Sequence, residues 1–297
     1  MVSIISRIAN KELVAGMPKW LPDNMHYEVM MGSVAYGVSN DTSDIDLYGF
    51  CIPPKELIFP HLAGEIEGFG DRLPRFHQYD PHHIQDPERK TSYDLAIYNI
   101  VKYFDLCMGC NPNMIDSLFV PRRCVLSSTA VGEMVREQRK IFLHKGAWFT
   151  FKGYAYSQLD KIARASKTNS KRAESIQEHG YDVKFAYHIV RLLGEVEQIM
   201  IEHDLDITRN REQLKAIRRG EWTLEYLHEW FDAKERALEE VYTTSSLRPT
   251  PDEAAIRALL LNCLEHHYGS LQNAVRRDIE AGAIVDDLKQ LIKKYGG

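Results

Sequence analysis

Gly32 and Ser33, followed in the same stretch by Asp44 and Asp46, are the residues whose types and spacing invite chemistry first. A Gly-Ser turn at the end of a strand can present backbone N–H groups and a hydroxyl at a helix start, an arrangement suited to phosphate. Two aspartates two positions apart on a strand leave the same face of it. Adjacent carboxylates repel one another unless a cation lies between them. They therefore suit Mg²⁺ (or Mn²⁺), held by one or two carboxylates and by substrate phosphates. Paired aspartates also occur on ordinary solvated strands, so it is the combination with the turn that carries weight.

These residues need strands to position them, and the pattern provides them. Residues 27–31 read as a strand, and 44–52 alternate as a second one before Pro53-Pro54. Between them, SNDTS at 39–43 is a turn of residues that bond their own backbone. Residues 60–91 are irregular and polar, a long surface excursion of the kind that serves as a lid or binding loop. Residues 92–97 read as the last strand, leading into a helix over 98–108 and a short one capped by Asn113 through Leu118. After about residue 125 the periodicity is almost entirely helical: 130–144, 148–166, 181–203, 208–219, 223–241, 251–265 and 267–280, with a short helix near the C-terminus. Thr250 would cap the helix that Pro251 opens. The expected architecture is α+β, a mixed-sheet head over 1–125 followed by an all-helical domain over 126–297.

The full arrangement G-S-x3-G-x5-S-D-x-D-x2-G, from Gly32 to Gly49, resembles the active-site signature of the DNA polymerase beta superfamily of nucleotidyltransferases. The resemblance is closer still to its bacterial and phage RNA-repair-associated branch. Tyr36-Gly37, Gly49, Asn111-Pro112-Asn113 with Asp116, and Gly180-Tyr181-Asp182-x-Lys184-x-Ala186-x-His188-x2-Arg191 also look like that branch. The matching pieces cover roughly residues 27–220, and the last 50 or so have no recognised counterpart.

The resemblance implies a polymerase-beta-like head in which Gly32 and Ser33 hold the β- and γ-phosphates of a nucleotide such as ATP. Asp44 and Asp46 would ligate the metals, and a third carboxylate would help deprotonate the acceptor hydroxyl. Asp94 is the choice for that role, with Asp80 and Asp86 as rivals. The implied reaction is in-line attack of a hydroxyl on the α-phosphate with pyrophosphate leaving, and the implied acceptor an RNA 3′ end (tRNA-like). Transfer to a protein or small molecule stays open, as does a nucleotide- or RNA-binding module without turnover.

Within 181–203, Val183, Ala186, Ile189, Leu193, Val196 and Met200 recur as a buried stripe. Lys184, His188, Arg191 and Glu195 share another face. By itself that face reads as solvated; with the resemblance, Lys184, His188 and Arg191 become the nucleotide-binding face across a cleft. The basic run 161–175 reads as a helix end and linker, with nucleic-acid or phosphate contact as its other reading. Cys107, Cys110 and Cys124 with His77, His82 and His83 include zinc-ligand types, but Cys107 falls in a helical apolar pattern and there is no second C-x2-C. Buried thiols fit better. Phe151, Tyr154 and Tyr156 read as interhelical packing rather than base-stacking residues.

Composition bounds these readings. The 297 residues carry 37 Lys+Arg against 42 Asp+Glu, a net charge of −5, which argues weakly against non-specific DNA binding. With 44% hydrophobic and 27% charged residues the chain reads as globular. No signal peptide or membrane span is expected, and five cysteines fit a reduced, cytoplasmic protein.

Overall fold

The computed structural model describes residues 3–39, 44–66, 68–70, 72, 75–165 and 173–269. It opens with helix α1 (Ile4–Asn10), whose Ile4, Ile5 and Ile8 are buried and whose cap, Ser3, accepts from the Ser6 N–H. Strand β1 (Met25–Met30) lies antiparallel to β2 (Ile45–Cys51). The short α2 (Gly32–Ala35) and α3 (Lys55–Ile58) follow these two strands. Gly49 on β2 is required by packing, since a side chain there would overlap the Tyr27 backbone oxygen of β1.

The segment 60–91 is less irregular than its composition suggests. It contains β3 (Gln78–Tyr79) and β4 (Ile84–Asp86), both antiparallel to β5 (Thr91–Asn99). β5 in turn runs parallel to β2. It is not the last strand, because β6 (Val125–Ser128) joins the other edge against β1. The order is β3-β5-β2-β1-β6, with β4 also on β5.

Between β5 and β6 lie α4 (Ile100–Met108) and α5 (Pro112–Phe119). The cap of α5 is Asn111, not Asn113: its side chain accepts from the N–H groups of Asn113 and Met114, while Pro112, which has no N–H to lose, takes the first helical position. After β6 come α6 (Ala130–Glu137), α7 (Gly146–Ala165), α8 (Ala173–His179), α9 (Val183–Glu202), α10 (Arg211–Arg218), α11 (Leu224–Thr244) and α12 (Glu253–Tyr268). Asp252, rather than Thr250, caps α12 through the Ala255 N–H. Residues 166–172 of the basic run, most of the helix expected over 267–280 and the C-terminal helix lie outside the described residues.

Two apolar layers hold the sheet. On one face Leu47, Cys51, Ile84, Tyr93, Leu95 and Ile97 pack with the isoleucines of α1. On the other, Tyr27, Val29 and Phe50 join a core that runs without a break through α4, α5, α7, α9, α11 and α12. α9 is the centre of the helical half and is buried on most of its circumference, as expected of a helix packed by neighbours on several sides.

Candidate active site

Parity along β2 sends Leu47 to the α1 side and leaves Asp46 to the helical side. The parallel register sets Asp46 against Asp94 of β5, so the two carboxylates share one rung on one face. Asp44 stands just before β2, and the Ser92 hydroxyl of β5 donates to its carboxylate. S-x-D on β5 thus mirrors the D-x-D that leads into β2, a signal present in the sequence that the reading of motifs alone passed over. Gly32 closes the group: its φ is +64°, and a Cβ there would overlap the Asp46 carboxylate. Among the described residues no side chain caps α2.

These residues line a cleft of about 630 Å³ whose opposite wall is α9, with Lys184 exposed at its mouth and His188 half-buried deeper in. Asp182 caps α9 by accepting from the Lys184 N–H at 2.9 Å. Burial raises the Asp46 pKa, and the charges of Asp94 and Asp44 raise it further, while Lys184 pulls it back. A carboxyl held above its ordinary range by burial and two neighbouring carboxylates is one that a cation would relieve. The donor chemistry agrees. Ligand atoms of Asp44, Asp94 and His83 all lie within 4.8 Å of one another, forming a potential metal-binding group among the described residues. The residues present therefore fit a divalent cation.

The rival carboxylates stand elsewhere. Asp86 is buried on the α1 side, where Arg7 Nε donates to it at 2.8 Å and holds its carboxyl down to about 2. Asp80 is exposed, and Gln78 Nε2 donates to it at 2.8 Å. Asp94 alone of the three lines the cleft.

Arg191 departs from expectation. It reaches the cleft floor, but it is only 5% exposed and its guanidinium donates to Asp116, which is fully buried, and to Glu195 at 2.9 Å. It also lies over the Tyr36 ring, 4.6 Å from the centroid, while the Tyr36 hydroxyl donates to Asp116 at 2.7 Å. Tyr36, Asp116 and Arg191, drawn from three distant motifs, are one buried tie between the Gly-Ser turn, α5 and α9. The shared face of α9 runs from solvent at Lys184 into the core at Glu195, and the expectation that Arg191 holds phosphate gives way to this role.

Arg218 of α10 was not foreseen from the sequence. It lines the cleft, donates to the Val38 carbonyl and faces the Tyr187 ring. Cys107 and Cys110 are buried, free and pushed well above the usual thiol range by burial, which fits inert thiols and no zinc role. Phe151 is buried; Tyr154 and Tyr156 bond Asn111 and Glu235.

Paired carboxylates on one face of a mixed sheet, a Gly-Ser turn against them and a lysine across the cleft are the arrangement of a polymerase-beta-type nucleotidyltransferase. Residues 4–262 match the model of the RNA repair pathway DNA polymerase beta family, and the chain belongs to that family. No curated protein matches the chain. A nucleotidyltransferase-like protein from Exiguobacterium sibiricum is similar over 98% of this chain and 89% of its own, at 9% identity and a TM-score of 0.29, too loose a likeness to bear on the site. Among the described residues, no helix is long and apolar enough to cross a membrane.

Proposed function

We propose that the protein transfers a nucleoside monophosphate from an NTP to a hydroxyl acceptor, an RNA 3′ end, and releases pyrophosphate. The observation that carries this is the Asp46–Asp94 rung lying against the Gly32-Ser33 turn inside one cleft. A third carboxylate beside the first two favours turnover over a module that only binds, and the family's place in RNA repair favours RNA as acceptor.

In this reading the Gly32-Ser33 N–H groups and the Ser33 hydroxyl hold the β- and γ-phosphates, and Lys184 approaches them from the opposite wall. Asp44, Asp46 and Asp94 hold Mg²⁺ or Mn²⁺, which when bound supplies charge stabilisation at the leaving and attacking oxygens. Asp94 accepts the proton of the attacking hydroxyl, which requires hydrogen-bond reach of about 2.6–3.2 Å. The buried tie through Tyr36 keeps the turn at its distance from α9, and Arg218 braces the backbone just beyond it.

The test incubates the purified protein with each labelled NTP, Mg²⁺ or Mn²⁺ and a pool of cellular RNA. Label at RNA 3′ ends, absent with Asp46→Asn, is the expected result. Label on protein or on a small molecule would keep the transferase and change the acceptor. Tight NTP binding with no label transferred to any of them would favour the binding module.

A further inference from the structure

His82 and His83 belong to the excursion before β5, and the Asp-based reading of the site uses neither. Their placement follows from strand register. β4 begins by pairing Ile84 with Tyr93, so His83, the residue just before it, comes next to Asp94. Across β5, Asp94 stands opposite Asp46. Asp46 and Asp94 thus share one rung on one face, and His83, just outside β4 at φ +57°, comes beside it from the end of the excursion.

Contacts fix His83 beside Asp94. The His83 N–H donates to Asp94 Oδ1 at 2.6 Å. The His83 ring Nδ1 is 3.8 Å from the same oxygen, too long for a hydrogen bond. It is, however, within twice the ~2.1 Å bond of a small divalent cation, the separation of two atoms that share one ion. With Asp44 completing a set whose ligand atoms all lie within 4.8 Å, the group offers two carboxylates and one imidazole around a common point.

We propose that His83 is a ligand of the divalent cation held by Asp44 and Asp94, and that it tilts the site toward Mn²⁺ over Mg²⁺. Mg²⁺ prefers oxygen donors and dehydrates reluctantly, whereas Mn²⁺, a larger transition-metal ion that gives up water more easily, takes an imidazole among carboxylates more readily than Mg²⁺ does. The excursion would then be a part of the metal site, delivering its ligand to the carboxylates from outside the motif. This rests on the proposed reading of the acidic face as a cation site.

The test uses the full chain, freed of metal, with Mn²⁺ alone as probe. Bound and free Mn²⁺ are separated by electron paramagnetic resonance, and pulsed measurements read nitrogen coupling to the bound ion. His83→Gly suits the backbone, since φ at this residue is +57° and glycine adopts it freely. His82→Ala is the control, its ring lying 3.7 Å from Asp94 Oδ1 yet outside the cluster. Nitrogen coupling is expected in the wild type and in His82→Ala, and is expected to vanish in His83→Gly. Mn²⁺ affinity should fall about tenfold or more in His83→Gly, the scale of losing a metal-site partner, while Mg²⁺ affinity read by competition falls less. Bound Mn²⁺ without nitrogen coupling, or coupling that survives His83→Gly, overturns the proposal and leaves the carboxylate site standing. Failure of the wild type to bind Mn²⁺ at all would overturn the cation site itself, and this proposal with it.

Discussion

Lys184 and Arg191 sit two turns apart on one helix, and their surroundings give them opposite fates under mutation. Lys184 is exposed at the cleft mouth, so Lys184→Ala should leave the unfolding midpoint unchanged and weaken NTP binding, which a titration with a non-hydrolysable NTP would read. Arg191→Met strands two buried carboxyls that burial already holds above their ordinary range. It should cost about 3–5 kcal/mol, the scale of removing one partner of a buried ion pair, seen as a lower urea midpoint. Equal stability losses for the two variants would refute this division. Asp46 follows a third pattern. Its charged form is disfavoured in the folded protein, so Asp46→Asn should abolish transfer while holding or raising the melting temperature of the metal-free protein. For Asp94→Ala a loss of at least about 10²-fold in the single-turnover rate is expected, the low end for general-base catalysis, with nucleotide affinity kept.

The elements carry a pH-dependent joint. His26 of β1 and His267 of α12 are hydrogen-bonded ring to ring at 2.9 Å, and His26 Nδ1 lies 2.7 Å from the Thr129 hydroxyl. Burial first, then the neighbouring histidines, lowers the His26 pKa from 6.5 to about 4. The fold thus prefers the neutral ring, and the stability it contributes is present above about pH 6.5 and lost as pH falls toward 4. Urea midpoints measured between pH 7.5 and 5 should drop less in His26→Asn than in the wild type, and parallel curves would sink the idea. How much of the elements was legible follows from how local their causes are. The stripe of α9 and the alternation of β2 are written in neighbouring residues, as is the Gly-Ser turn between strands. β3 and β4 are two and three residues long, exist only through pairing with β5, and leave no period to read. Likewise the burial of Arg191 depends on Asp116, 75 residues away, while a charged residue on an amphipathic helix ordinarily faces water.

At the scale of the molecule, the core on the helical side of the sheet is shared by both halves of the chain. The change from strand-rich to helical sequence near residue 125 therefore marks a change of architecture inside one packed body. Unfolding followed by tryptophan fluorescence, which reports Trp148, Trp222 and Trp230 of the helical half and Trp20 of the sheet half, should coincide with far-ultraviolet circular dichroism in a single transition. Two separated transitions would show that the halves melt independently.

The parallel pairing of β2 with β5 has a consequence for how the protein comes into being. Asp44 and its partner Ser92 are 48 residues apart, and the intervening chain contributes strands that themselves need β5. A hairpin such as β4–β5 can close early, because its ends are near in sequence, but the β2–β5 rung must wait for a long loop to close, and non-local pairing of this kind is slow. A ribosome-bound chain that has made β1, the Gly-Ser turn and β2 holds its first two aspartates with nothing opposite them. The rung of Asp46 and Asp94 can form only after β5 has emerged, and the cleft around it closes only when α9, later still in the chain, packs across it.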